Sequence, residues 1–291
     1  MKNILVATDF SKEAYCALHY ATKLYKNEEC TFFITNFYAN EVEISVYSML
    51  NEEEFKKLPG LQAASHSKCT EVIHQITRDN KQTAHFFKII TSNRKLVHAL
   101  PEIILEMHID LVVMGTRGHS GTMTGFMGSN TSRVIKKTIP CPLLVVPGQL
   151  PFKAPGKIAF ATELKHKFSN DSLYELKKIA EKSNSGISIL YVGEEGFLNE
   201  KQNENLNNLK LLLEGNDLEV TFISSDEEVS KAISTYVKQH GIQLLSMIYY
   251  AHKFSHTIFR EPVIRKIDEH LSLPFLVLPQ KKISIKASSQ N

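Results

Sequence analysis

Asp110-Leu111-Val112-Val113-Met114-Gly115-Thr116-Arg117-Gly118-His119-Ser120-Gly121 is an apolar run that breaks into glycine. Leu111–Met114 has the length and unbroken apolarity of a strand buried on both faces. Gly115, Gly118, Gly121, Gly125 and Gly128 put five of the protein's 13 glycines into fourteen residues. The run reaches Ser129 and Asn130, and Thr131–Lys137 opens a helix. A buried strand, a glycine loop and a helix in this order belong to an α/β protein with a parallel sheet.

Residues on the N-terminal side repeat the alternation. Ile4–Thr8 predicts a strand, and Ser11 caps a helix whose apolar face is Ala14, Ala17, Leu18, Ala21 and Leu24. Thr31–Tyr38 predicts a second strand and Ser67–Asn80 a helix. Ala84–Thr91 is a third strand, followed by a helix over Leu96–Met107, and Leu143–Val146 closes the series. Between the second strand and the next helix, Ala39–Pro59 predicts a surface excursion, partly helical. With right-handed crossovers this is a five-stranded doubly wound sheet, whose ligands bind at the carboxyl ends of the strands.

The pattern occurs twice. Ile4-Leu5-Val6-Ala7-Thr8-Asp9 returns as Ile158-Ala159-Phe160-Ala161-Thr162-Glu163, an offset of 154. Ile109–Met114 returns as Ile242–Met247 at 133, and Pro142–Pro147 as Pro274–Pro279 at 132. The expected fold is therefore two tandem doubly wound α/β domains, residues 1–148 and 156–280, with a polar tail at 281–291. Gly148–Gly156, with two prolines and two glycines, reads as the linker. The falling offset makes copy two the shorter, and Ala39–Pro59 is where the difference is expected.

Length and composition agree. The chain has 291 residues, about twice the common domain length of 100–150. At 43% hydrophobic and 22% charged it has the composition of a folded protein. No apolar run approaches the roughly 20 residues that span a bilayer, and no secretory signal is read at the N-terminus, so no membrane partner and a cytoplasmic location are expected. A net charge of +3, from 34 Lys and Arg against 31 Asp and Glu, gives no basis for a nucleic-acid partner. Lys136-Lys137 and Lys281-Lys282 read as solvated ends of elements. Cys16, Cys30, Cys69 and Cys141 form no CxxC or zinc spacing and read as small apolar filler. His252 and His256, four apart, lack both the HExxH glutamate and a third ligand, so no metal site is assigned.

The glycine loop suits a phosphate group. Bare backbone N–H groups approach an anion closely, and the following helix supplies unsatisfied donors. Ser129, Asn130 and Thr131 add donors, and Arg117 or His119 can meet phosphate charge. A turn that merely reverses the chain needs one or two glycines, not five. The loop is neither a GxxxxGK[ST] phosphate loop nor a GxGxxG fingerprint, which follows the first strand.

The spacing Gly115-x2-Gly118-x9-Gly128-Ser129, with Asp9 at the end of the first strand, resembles the universal stress protein family. Asp110–Gly115 and Pro140–Pro147 are similar to that family too. The resemblance covers all of copy one and, more weakly, copy two, and implies a Rossmann-like fold akin to the adenine nucleotide alpha hydrolases. It further implies that ATP, with or without Mg²⁺, is the ligand. Asp9 would bond the ribose or adenine, and the backbone near Phe37 would face adenine. Thr8 and Met114 would line the pocket, while Gly115, Gly118, Gly128 and Ser129 would hold phosphates. Thr116, Arg117, His119, Asn130 and Thr131 lie within or beside that loop. Phe37-Tyr38 departs from the small aliphatic residues common there, and either crowds the adenine or stacks near it.

Copy two replaces Gly115 with Ile248, Gly118 with Ala251 and Asp9 with Glu163, and puts Arg260, Glu261 or Pro262 where Gly128 and Ser129 stand. ATP is therefore expected in the N-terminal copy only. Family members commonly pair through their last strands, so Leu143–Val146 and Phe275–Leu278 are expected to pair within the chain as a pseudo-dimer, with a homodimer left open. No catalytic residue is assigned, because no triad-like pairing and no HxGH or SGGxDS signature occurs. The expected function is an ATP-binding, nucleotide-dependent stress-response module. A scaffold that binds other partners, and a slow ATPase or phosphotransfer enzyme, are the alternatives.

Overall fold

The computed structural model describes residues 1–38, 60–81, 84–116, 129–136, 140–148, 150–250 and 273–280. Five strands belong to the first half: β1 (Lys2–Thr8), β2 (Cys30–Phe37), β3 (His85–Ser92), β4 (Leu111–Thr116) and β5 (Leu143–Pro147). Its helices are α1 (Lys12–Leu24), α2 (Leu61–Asp79), α3 (Leu96–Glu106) and α4 (Ser129–Lys136). The second half contributes β6 (Lys157–Ala161), α5 (Asn170–Ser183), β7 (Gly186–Val192), α6 (Glu200–Leu212), β8 (Leu218–Ile223), α7 (Val229–Gln239), β9 (Leu244–Tyr249) and β10 (Phe275–Pro279).

These strands make one ten-stranded sheet in the order β3-β2-β1-β4-β5-β10-β9-β6-β7-β8. Within each half every pairing is parallel and the strand order is the same. At the centre β5 and β10 pair antiparallel, Leu144 opposite Leu276, so the two halves join as a pseudo-dimer through their last strands. Each half leaves the other's otherwise open edge covered.

The sequence offsets are true registers. Ile4 pairs with Leu111 as Ile158 pairs with Leu244, and Val112 with Leu143 as Leu245 with Phe275. From the second strand to the third the offset falls from 155 (Thr31 to Gly186) to 131 (Phe87 to Leu218). The shortening of copy two therefore falls between these strands, as expected. The excursion itself, residues 39–59, lies outside the described residues, as do 117–128, 251–272 with His252 and His256, and the tail.

Several boundaries differ from expectation by two residues or more, among them α4, which begins at Ser129 rather than Thr131. Helix α2 begins at Leu61 rather than Ser67, because Leu61-Gln62-Ala63-Ala64 are strong helix formers and Gly60, at φ +102°, turns the chain into them. Strand β4 runs on through Gly115 and Thr116, which pair with Val146 and Pro147 instead of opening the loop. The alanine face of α1 is buried, and the helix packs on β1, β4 and β5 beside α2. Helices α3 and α4 pack on one another. Among the described residues no helix is long and apolar enough to cross a membrane. All four cysteines are free thiols; Cys30, Cys69 and Cys141 are buried and Cys16 half-buried.

Candidate functional site

Strand β1 lies between β2 and β4, so its carboxyl end is the point where the strand order reverses. Crevices form there in doubly wound sheets because the helices that follow depart to opposite faces. Thr8 is opposite Asn36, and Ala7 opposite Met114. These registers gather the predicted Thr8, Asp9, Phe37, Met114, Gly115 and Thr116 at one end of three adjacent strands.

The turn leaving β1 is held by its own side chains. Thr8 Oγ1 accepts from the Phe10 N–H at 3.0 Å, and Phe10 takes φ +63°, a conformation costly for a bulky residue. Asp9 is exposed. Its Oδ1 accepts from the Ser11 N–H at 3.0 Å and from Ser11 Oγ at 2.5 Å, while Ser11 Oγ caps α1 by accepting from Ala14 N at 3.2 Å. Among the described residues nothing engages the other carboxylate oxygen. Asn36, which sequence reasoning missed, braces the same end. It donates to Thr8 O at 2.9 Å and accepts from Ser65 Oγ at 2.7 Å. A buried amide at the end of an apolar strand was the available signal. Below the turn, between α1 and α2, a cavity of about 50 Å³ is lined by Thr8, Phe10, Tyr15, Val72 and Gln75 among others.

Gly115 has a packing explanation. A Cβ there would lie 2.5 Å from the carbonyl oxygen of Glu13 in the first turn of α1, closer than real Cβ atoms come. Thr116 is buried, and its carbonyl accepts from Gly148 N at 2.7 Å. Phe37 and Met114 are both buried in the core, so the Phe37 ring is not an open stacking face. The Phe37 ring turns inward, into the core cluster. Arg117, Gly118, His119 and Gly128 lie outside the described residues, and of Ser129 only the helical backbone is described.

On α4, Thr131 is buried and Asn130 half-buried. Asn130 lines a cleft of about 280 Å³ with Arg133 and with Lys95, Leu96, Val97 and His98 from the start of α3. Lys95, His98 and Arg133 are exposed, and none of them was singled out from sequence: Lys95 and His98 are far from the glycine loop along the chain, and Arg133 lies just beyond its spacing. Glu102, one turn beyond His98, is held by two hydrogen bonds from Arg94, which depress its pKa. Two cations and the donor-rich first turns of two helices suit an anion. Among the described residues no group of three or more His, Cys, Asp or Glu side chains is placed to hold a metal ion.

The second half keeps the turn but fills the space around it. Thr162 Oγ1 accepts from Leu164 N at 3.0 Å and Leu164 takes φ +57°, matching Thr8 and Phe10. Glu163, the counterpart of Asp9, is instead buried and paired with Lys165 at 3.3 Å. Tyr250 is buried against the His166 ring, 4.3 Å between centroids, and burial with the nearby Glu163 charge raises its pKa. Ile248, the counterpart of Gly115, is buried within β9.

A universal stress protein from Archaeoglobus fulgidus aligns with 96% of this chain and 98% of its own, at 16% identity and a TM-score of 0.68. A universal stress protein from Pseudomonas aeruginosa aligns over 96% and 94% at 10% identity, with a TM-score of 0.59. A further universal stress protein from A. fulgidus, solved in complex with dAMP, covers 43% of this chain and 99% of its own at 14% identity and a TM-score of 0.32; the nucleotide is that protein's. No curated protein sequence matches the chain. Residues 1–147, which carry the five strands and the capped turn at the reversal point, match the model of the universal stress protein family, and the chain belongs to that family.

Proposed function

We propose that the N-terminal half, residues 1–148, binds an adenine nucleotide, ATP in particular, and that the protein acts as a nucleotide-dependent stress-response module. The observation that carries this reading is Asp9, exposed at the reversal point with one carboxylate oxygen fixed by Ser11. A fixed carboxylate accepts from ribose hydroxyls or the adenine amino group at little ordering cost. Thr8 and Met114 shape the floor, and the Phe37 backbone faces the base. Gly118, Gly128 and Ser129 take the phosphates, with Asn130 and Thr131 beside them and Arg117 or His119 meeting their charge. Mg²⁺, where present, is held mainly by the phosphates, since few carboxylates are at hand.

The half from 156 to 280 does not bind nucleotide in this manner. Glu163 is already neutralised by Lys165, and Tyr250 lies against His166 near that carboxylate. Its part is to cover β5 and to complete the pseudo-dimer. Free thiols throughout fit a reducing, cytoplasmic setting.

Calorimetric titration with ATP and AMP, with and without Mg²⁺, tests the proposal against Gly118→Val and Asp9→Ala. The expected result is about one nucleotide per chain, lost in Gly118→Val and weakened roughly tenfold or more in Asp9→Ala. A well-folded protein that takes up no nucleotide overturns it in favour of a scaffold that binds other partners. Turnover of ATP that disappears in Asp9→Ala favours the enzymatic alternative.

A further inference from the structure

The carboxyl end of the second half is set apart by its charge. Strands β7 and β8 finish side by side there, and the Gly193 N–H donates to the Ile223 carbonyl at 2.9 Å. Ser224 Oγ donates to Glu194 Oε1 at 3.4 Å, so the turns after the two strands form one surface. Glu194, Glu195 and Asp226 are exposed on it, and Phe197, in the single 3₁₀ turn Glu195–Phe197, is 80% exposed. Glu200 and Glu228 serve the starts of α6 and α7, and Glu227 pairs with Lys231 at 2.6 Å. The fold does not require this acidity. At the strand offset of 131, Asp226 stands where the first half has Lys95, and Ser225 where it has Arg94. A bare aromatic ring beside carboxylates suits a segment that is both basic and apolar.

The chain carries such a segment at the same end. Strand β10 runs parallel to β9, β6, β7 and β8, so residues 281–291, which follow it, start from the end of the sheet where Glu194 and Asp226 lie. They hold Lys281, Lys282 and Lys286 with Ile283 and Ile285, and no acidic side chain. Strand β7 is three strands from β10, roughly 14 Å at about 4.8 Å per strand, and β8 roughly 19 Å. An extended chain gains about 3.3 Å per residue, so Ile283, Ile285 and Lys286 can reach both turns. We infer that the carboxyl end of the second half is a docking surface for residues 281–291 of the same chain, with lysines meeting Glu194, Glu195 and Asp226 and isoleucines covering Phe197. Attachment to β10 holds the segment at an effective concentration on the order of millimolar, so weak, exposed contacts suffice. The half without the glycine loop thus keeps its carboxyl end in use, for a peptide rather than a nucleotide. Nothing in this depends on nucleotide binding by the first half.

The test uses the full chain at low salt, half of it labelled with heavy nitrogen. A carbodiimide joins a lysine amine to a carboxylate only where the two touch, and mass spectrometry separates links within one chain from links between chains. Links from Lys281, Lys282 or Lys286 to Glu194, Glu195 or Asp226 are expected within one chain, and are expected to fall about threefold or more in about 0.5 M salt. Trypsin cleavage after Lys286 supplies a second measure. It is expected to run about fivefold faster in Glu194→Gln/Glu195→Gln/Asp226→Asn, and faster also in Phe197→Ser. All four positions are exposed, so the fold is kept. Links confined to other carboxylates, or an unchanged cleavage rate in either variant, overturn the inference. Links found only between chains overturn it too, and make a second copy the occupant.

Discussion

An alanine at position 115 would bring its Cβ against backbone atoms, Glu13 O at 2.5 Å and Ala14 N at 2.8 Å, and neither can swing away. At position 148 the close neighbour is instead the flexible Cγ of Glu13. Gly115→Ala is therefore expected to lower unfolding stability by about 1–3 kcal/mol, whereas Gly148→Ala costs less and is relieved by adding Glu13→Ala. Urea titrations of the wild type and these variants check this, and rescue of Gly115→Ala by Glu13→Ala would contradict the backbone origin of the clash. Ser11 works at the same scale. Its hydroxyl both caps α1 and fixes Asp9, so Ser11→Ala is expected to cost about 1 kcal/mol of stability and to weaken nucleotide binding as well. A loss of stability with unchanged nucleotide affinity would mean that the Asp9 carboxylate needs no positioning.

At the scale of the element, β3 is an edge strand whose first four residues alternate half-buried and exposed and whose last four are half-buried, rather than being covered on both faces. His85 at its start packs on Phe32, and its Nε2 bonds the Thr22 carbonyl at 3.1 Å, which leaves Nδ1 buried with no described partner. Burial lowers the His85 pKa below the ordinary 6.5, the Thr22 bond opposing it only in part. The unfolded chain then takes up a proton that the folded chain resists. Stability contributed by the neutral ring is complete above about pH 6.5 and is lost as pH falls below it. Half-buried His19 acts in the same direction. His85→Phe is expected to flatten the decline of the urea midpoint between pH 7.5 and 5.5 relative to wild type; parallel profiles would show that His85 carries none of it. The two β-to-α turns, Thr8 to Phe10 and Thr162 to Leu164, kept one geometry under different side chains, which places the divergence of the halves in what surrounds the turn.

Across the whole molecule the β5–β10 seam is reinforced on the side of α1 and α5 by a polar cluster around the buried Tyr25 and Glu175. Glu175 accepts from the Tyr25 hydroxyl and pairs with Lys2 at 2.5 Å, and Lys182 pairs with Glu28 at 2.5 Å and lies 4.3 Å from the Tyr25 ring centre. Burial, then the Glu175 charge, raises the Tyr25 pKa well above 10, so this hydroxyl remains a donor. Removing one charge strands the other, so Lys2→Met is expected to cost about 3 kcal/mol, while Lys2→Met/Glu175→Leu recovers much of that loss. Chemical denaturation of both variants decides it, and equal costs would show that the pair is not the source. A chain ending after Gly148 would expose the β5 edge. It is expected to dimerise in sedimentation experiments through the surface that β10 covers here.

Local chemistry carried much of this into the sequence. Unbroken apolar runs at Ile4–Thr8 and Leu111–Met114, the alanine face of α1 and the Ser11 cap made the parallel α/β alternation legible, and the offsets of 154, 133 and 132 returned as strand registers. Asp9 and Gly115, at the ends of the first and fourth strands, pointed to the reversal point in the same way. Tertiary structure alone decided what distant segments do to one another. It revealed that Gly115 makes room for Glu13, that Phe37 turns inward, and that Asn36 braces Thr8. It also brought Lys95 and His98 across to Asn130 and Arg133, and Glu175 to Tyr25 and Lys2. The reason is physical: strand and helix periods are set by neighbours along the chain, whereas a close approach, a buried ion pair or a cleft exists only once packing brings remote residues within a few ångströms.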